Sequence, residues 1–173
     1  RTSGPILELG SGTGRVTLPV ARVAAGPVVG VDRSAAMLAL ARRRLGRARG
    51  TRRVRFVRAD VRMLPFAPGA TFDLVMAPYG VLQSLVREAD LRAAVQAVAE
   101  GIAPGGLFGI DLVPDLPQWA EYRRRVRLRG FRRAGGSHRT VVESVRQDRR
   151  RGLTIFDQRF IERRGAERRR SEF

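Results

Sequence analysis

The 173-residue chain contains no cysteine and no lysine, and its one histidine is His138. Without cysteine there is neither a disulfide framework nor a thiolate metal site, and one histidine rules out a multi-histidine centre, so no metal is expected. No run of about 18 apolar residues is present to span a membrane, and the opening Arg1-Thr2-Ser3-Gly4 lacks the apolar core of a signal peptide. A cytoplasmic protein with no membrane partner is expected. Aromatic residues make up only 6% of the chain, yet the hydrophobic content of 43% suffices for one domain with a sizeable core.

Charge is dominated by one residue type: all 34 basic side chains are arginine, against 16 acids, for a net charge of +18. An arginine excess is either an electrostatic footprint for nucleic acid or a general compositional preference, and the abundance of alanine and glycine favours the second. The excess is uneven. Residues 1–121 hold 16 arginines against 10 acids, and residues 122–173 hold 18 against 6.

Short apolar runs alternate with helical patterns over the first part of the chain, the signature of strand-helix units and a parallel sheet. Strands are predicted at Pro5–Leu9, Pro27–Asp32, Arg53–Asp60, Thr71–Ala77 and Gly105–Val113. Helices are predicted at Gly14–Ala25, at Ser34–Gly46 with Ser34 as N-cap, and at Glu88–Gly101. The expected fold is α/β, a doubly wound, Rossmann-like, mostly parallel sheet with helices on both faces. After Pro117 the runs "RRRVRLRGFRR", "TVVESVRQDRR" and "LTIFDQRFIERR" mix β-branched and aromatic residues with charges, which predicts an antiparallel β meander. Residues 1–116 are thus expected to form the core, and 117–173 an extension and substrate cover of the same domain. Both ends look cut, which predicts a fragment whose parallel sheet lacks its closing strands and is correspondingly unstable.

Behind the first strand, "ILELGSGTGRVTLPVA" places three glycines within five positions ahead of a helix. A glycine turn lets the backbone approach a ligand closely, and the helix start behind it offers free N–H groups. A dinucleotide site would show G-x-G-x-x-G; here the spacing Gly10-x-Gly12-x-Gly14 is one residue tighter. Glu8, two residues ahead, would repel a pyrophosphate and suits a ligand with a cationic amino-acid portion.

"LELGSGTGR" resembles motif I of the class I S-adenosylmethionine-dependent methyltransferases. The resemblance implies S-adenosylmethionine as cofactor, S-adenosylhomocysteine as product, and Glu8, Gly10, Ser11, Gly12 and Gly14 at the cofactor. It makes Asp32, 22 residues after Gly10 in "VVGVDRSAAML", the ribose-binding acid, with Arg33 beside the adenine and Met37 on that side of the pocket. Asp60 in "RFVRADVRMLPF" is the acid expected to accept from the adenine amino group, with the Val61 amide donating to a ring nitrogen. Ala77 and Pro78 are expected beside the methionine portion, Asp73 in a structural role, and "APGG" (residues 103–106) as a chain reversal before the fifth strand. The resemblance covers Ile6 to Val113.

The segment "APYG" departs from the Asn/Asp-Pro-Pro-Tyr of many amino-directed nucleic-acid methyltransferases, since Ala77 stands where the polar residue would. A small-molecule acceptor is therefore expected, its reacting atom open among oxygen, nitrogen and carbon. Alignment of the reactants supplies much of the rate; where a base is needed, Tyr79, Asp111 and His138 are the candidates, with His138 expected in a loop. No catalytic residue is assigned. Trp119, Tyr122, Phe156 and Phe160 are candidates for an acceptor pocket or for core packing. Two rival functions are an RNA methyltransferase, motivated by the arginine-rich C-terminal region, and an NADP-dependent oxidoreductase, motivated by Arg33 directly after Asp32.

Overall fold

A computed structural model describes residues 3–51, 53–67, 69–112, 120–132 and 136–172. The chain divides into two compact units, Arg1–Val113 and Pro114–Phe173. The division expected at 116/117 lies outside the described residues.

In the first unit β1 (Ile6–Leu9), β2 (Val28–Asp32), β3 (Val54–Arg58), β4 (Phe72–Ala77) and β5 (Ile102–Ile110) form a parallel sheet in the order β3-β2-β1-β4-β5. The strand order reverses between β1 and β4, which in open α/β sheets opens a crevice at the carboxyl ends. Helices α1 (Thr17–Val23), α2 (Ala35–Leu45) and α3 (Glu88–Gly101) connect the strands. Side chains alternate across each strand. On β1, Leu7 and Leu9 pack with Ala94 and Val98 of α3, while Ile6 packs with Leu18 of α1 and Leu38 and Ala41 of α2. The sheet is therefore covered by α1 and α2 on one face and by α3 on the other. Leu7, Leu9, Val28, Val31, Leu38 and Val75 are fully buried, each stabilising the fold by roughly 1.5–3 kcal/mol.

Local chemistry sets the boundaries. The Ser34 hydroxyl accepts from the Met37 amide at 3.3 Å and caps α2 as expected. Helix α1 starts three residues later than predicted, because residues 14–16 complete the glycine turn, in which the Gly14 amide donates to the Ser11 carbonyl at 2.8 Å. Pro19 then falls in the first helical turn, where its missing N–H costs no helical bond. Residues 103–106 do not reverse the chain ahead of β5. The strand already begins at Ile102, opposite Phe72, and these residues bulge out before pairing resumes at Leu107, opposite Leu74.

The second unit is an antiparallel sheet of β6 (Tyr122–Arg132), β7 (Ser137–Asp148), β8 (Leu153–Arg164) and β9 (Glu167–Glu172), in that order. The expected antiparallel meander is present, and strand β9 extends it beyond the three apolar runs: its sequence "ERRRSE" has no apolar residue to betray a strand. The β7–β8 and β8–β9 turns carry Gly152 and Gly165 at φ +62 and +57. Among the described residues no helix is long and apolar enough to cross a membrane.

Candidate active site

The turn after β1 holds Gly10, Gly12 and Gly14 at φ +64, +52 and +74, a region L side chains avoid. The three differ in their surroundings. A Cβ on Gly10 would lie 2.5 Å from Val81 and one on Gly14 2.8 Å from the Phe56 ring, whereas one on Gly12 would meet nothing nearer than 3.9 Å. Gly10 and Gly14 are thus required by packing, whereas a Cβ on Gly12 would make only ordinary van der Waals contact, with the Gly10 carbonyl and the Asp32 carboxylate. Arg44 of α2 fastens the turn by donating to the Thr13 hydroxyl at 2.6 Å and carbonyl at 3.1 Å.

Ser11 is buried beneath the turn. Its amide donates to the Val31 carbonyl at 2.8 Å, and its hydroxyl has no hydrogen-bond partner among the described residues. A Cβ on Gly30 would stand 2.7 Å from the Ser11 Cβ, so this strand glycine makes room for the turn. Sequence reasoning missed Gly30, although a glycine interrupting an apolar strand signals close approach.

Asp32, at the end of β2, accepts the Gly12 amide on Oδ2 at 2.8 Å and the Ser34 amide on Oδ1 at 2.7 Å. Each oxygen retains acceptor capacity at the cleft it lines. Glu8 is 2% exposed and accepts from the Thr17 hydroxyl at 2.5 Å. Burial pushes its carboxyl up to about 7, against the lowering effect of the Thr17 hydrogen bonds. Glu8 therefore acts beneath the turn, at the start of α1, and does not line the cleft. Asp60 is gripped by Arg62, whose Nε and Nη2 donate to its two oxygens at 2.9 and 2.7 Å and whose amide donates at 3.0 Å. These bonds hold the Asp60 carboxyl down at about 2.

Beside these acids lies a cleft of about 430 Å³, a volume ordinary for small-molecule sites. Gly10, Asp32, Arg33, Asp60 and Val61 are brought together in its lining, with Val81, Leu85 and Asp90, which sequence reasoning missed. Arg62 was missed as well. Its Nη1 donates to Asp90 at the start of α3, at 2.8 Å, and so joins the β3 side of the cleft to the α3 side. Of the remaining expected residues, Ser11, Gly14 and Ala77 are buried, and Met37 is 44% exposed in the first turn of α2, away from the lining.

At the carboxyl end of β4, Tyr79 and Gly80 take φ of 60 and 63. Asp111, just beyond β5, accepts the Gly80 amide at 2.9 Å, and the Gly80 and Tyr79 amides keep its carboxyl below the usual range. The Arg15 guanidinium lies over the Tyr79 ring, 5.2 Å from its centroid. Two of the three candidate bases are thus joined through one turn. His138 is not in a loop: it lies in β7, its ring 4.8 Å from that of Phe131.

In the second unit Tyr122 donates to the buried Glu143, which also accepts from Gln158 at 2.6 Å. Phe156 and Phe160 pair across the strands with Val145 and Val141 and share the face of Glu143. Trp119 lies outside the described residues.

Residues 6–106 match the methyltransferase domain family. The demethylmenaquinone methyltransferase of Thermus thermophilus is 40% identical over 116 residues, 66% of this chain and 50% of that protein. The chain thus spans about half the length of that curated relative. Among solved structures, CalS10 of Micromonospora echinaspora, an amino pentose methyltransferase solved with S-adenosylmethionine bound, superposes with a TM-score of 0.67 at 29% identity, covering 98% of this chain and 66% of its own. DesVI of Streptomyces venezuelae superposes with a TM-score of 0.77 at 22% identity over 98% of this chain and 66% of its own, a likeness of fold alone. With these matches the oxidoreductase reading loses its footing. The chain belongs to the methyltransferase domain family and is a member of the class I S-adenosylmethionine-dependent methyltransferases.

Proposed function

We propose that the chain provides the cofactor site of a cytoplasmic enzyme that transfers a methyl group from S-adenosylmethionine to a small-molecule acceptor. The observation that carries the proposal is the hydrogen bond from the Gly12 amide to Asp32. It sets an acceptor carboxylate beside the turn glycine whose Cβ position is not crowded, and Asp32 borders a cleft of suitable size. The lining holds the carboxylates of Asp32, Asp60 and Asp90 and the guanidinium groups of Arg33, Arg62 and Arg87; Arg62 engages Asp60 and Asp90, so Asp32 is the acid that supports a ribose diol.

When bound, S-adenosylmethionine supplies a methyl group already activated on a sulfonium. Asp32 is proposed to accept from the ribose hydroxyls, and Asp60 and the Val61 amide to hold the adenine, with Arg33 beside it and Met37 outside the lining on that side. Gly10 and Gly12 would admit the methionine portion, with Ala77 behind it in β4. Glu8, Ser11 and Gly14 support the turn from below. The second unit is proposed to serve acceptor selection, because the likeness to the amino pentose methyltransferase covers nearly the whole chain. Membrane and nucleic acid have no part in the reading.

Equilibrium dialysis against radiolabelled S-adenosylmethionine tests the reading. Retention of one equivalent, displaced by S-adenosylhomocysteine and not by NADP, is the expected result. Retention of NADP alone would overturn it.

A further inference from the structure

Tyr79 is the feature of the first unit that folding does not explain. A tyrosine at φ 60 is strained, and such strain persists only where the surroundings enforce it. Here the ring is 64% exposed and belongs to neither core cluster, so packing is not the reason. The enforcement comes from Asp111, which accepts the Gly80 amide and thereby ties the turn after β4 to the end of β5. The outcome is an aromatic ring displayed at the carboxyl end of the sheet.

Its neighbour is Arg15, from the glycine turn after β1. Strand order reverses between β1 and β4, so Arg15 and Tyr79 come from the two turns that flank the crevice where open α/β sheets bind ligands. Among the described residues no carboxylate lies within ion-pairing distance of Arg15, whose contact is the Tyr79 ring at 5.2 Å. A guanidinium held over a ring has no acceptor there for its N–H donors, which leaves them available to an anion.

Resting on the methyltransferase reading above, we infer that the Tyr79–Arg15 pair, posed by Asp111, recognises the methyl acceptor and selects a planar aromatic one carrying an anionic group. Tyr79 offers ring surface to the planar part and Arg15 attracts the anion, while the Asp111 carboxylate is engaged by the Gly80 and Tyr79 amides. Asp111 touches neither in this arrangement and is a positioning residue.

A matched pair of probes separates the possibilities: 4-hydroxybenzoate, a phenol with a carboxylate, and tyramine, a phenol with an ammonium. Each is titrated into the full chain with S-adenosylhomocysteine at saturation, following the Tyr79 ring resonances by NMR. 4-Hydroxybenzoate is expected to shift them, and tyramine to leave them in place. Arg15→Gln is expected to weaken 4-hydroxybenzoate about tenfold or more, as loss of a charge-assisted contact does, with S-adenosylhomocysteine affinity and melting temperature retained. Asp111→Ala is expected to weaken it similarly, while Asp111→Asn, whose carbonyl oxygen still accepts the Gly80 amide, restores binding. Equal binding of the two probes, no binding of 4-hydroxybenzoate, or indifference to Arg15→Gln would overturn the inference while leaving the cofactor site standing. Failure of S-adenosylhomocysteine to bind the unaltered protein would instead overturn the reading beneath it.

Discussion

The Gly12 amide and the Asp32 carboxylate meet at 2.8 Å across 20 residues of sequence, so the tip of the glycine turn and the end of β2 form one hydrogen-bonded unit. The other carboxylate oxygen is fixed by the Ser34 amide. Asp32→Ala removes both a ligand acceptor and the tie to the turn. Since hydrogen bonds to charged groups contribute about 1.5–3 kcal/mol, cofactor affinity is expected to fall by about 10- to 100-fold. Asp32→Asn keeps one acceptor oxygen and is expected to fall between the two proteins in a calorimetric series.

Glu8 makes stability depend on pH in an unusual direction for a carboxylate. Its folded value of about 7 lies above the ordinary 4.5, so between these two the folded chain keeps a proton that the unfolded chain has lost. Stability from this group is fully present below pH 4.5, falls as pH rises, and is gone above about 7, a change on the order of 3 kcal/mol. Asp60, Asp111 and Glu143, all held low, act only below this window. Glu8→Gln, which still accepts from Thr17, is expected to flatten the slope. Urea midpoints at pH 5, 6, 7 and 8 for both proteins would show it; parallel curves would contradict the burial of an ionisable Glu8.

Two glycines of one turn are expected to separate stability from binding. Gly14→Ala drives a methyl group to 2.8 Å from the Phe56 ring at φ +74, combining overpacking with backbone strain for a loss of roughly 2–4 kcal/mol. Gly12→Ala meets no clash and carries the strain alone, roughly 1–2 kcal/mol, but its methyl group stands 4.0 Å from the Asp32 carboxylate proposed to hold the ribose. The ratio of cofactor affinity lost to stability lost is therefore larger for Gly12→Ala. Equal ratios would remove Gly12 from the site.

Much of this arrangement is legible in the sequence, because parallel strands buried on both faces read as continuous apolar runs and Ser34 announces its helix. Asp32 and Gly10 were readable because the turn leaves so few residue types possible. What escaped reading depends on contacts distant in sequence. Arg62 looks like one arginine among 34 until the fold brings Asp90 to it. Strand β9 is held by its pairing with β8 and not by any apolar pattern of its own. His138 follows two glycines, which suggests a loop, yet pairing with Phe131 and Arg163 draws it into a strand.

Arg62 also offers a direct electrostatic readout. Removing its guanidinium by Arg62→Ala deletes the donors that hold Asp60 at about 2, so the carboxyl is expected to move up toward its ordinary 3.8. Carboxyl-carbon NMR resolves this titration in the folded protein. An unchanged midpoint would mean that the Asp60–Arg62 pair does not exist in solution.

The central claim is that the glycine turn and Asp32 hold S-adenosylmethionine. Calorimetric titration with S-adenosylhomocysteine, with NADP as the control ligand and Asp32→Ala as the control protein, tests it most directly. The account predicts binding near ~1–100 μM, about −5.5 to −8 kcal/mol, that is weakened about 10- to 100-fold in Asp32→Ala and absent for NADP. A folded protein that takes NADP and ignores S-adenosylhomocysteine, or that binds S-adenosylhomocysteine equally well without Asp32, would contradict it.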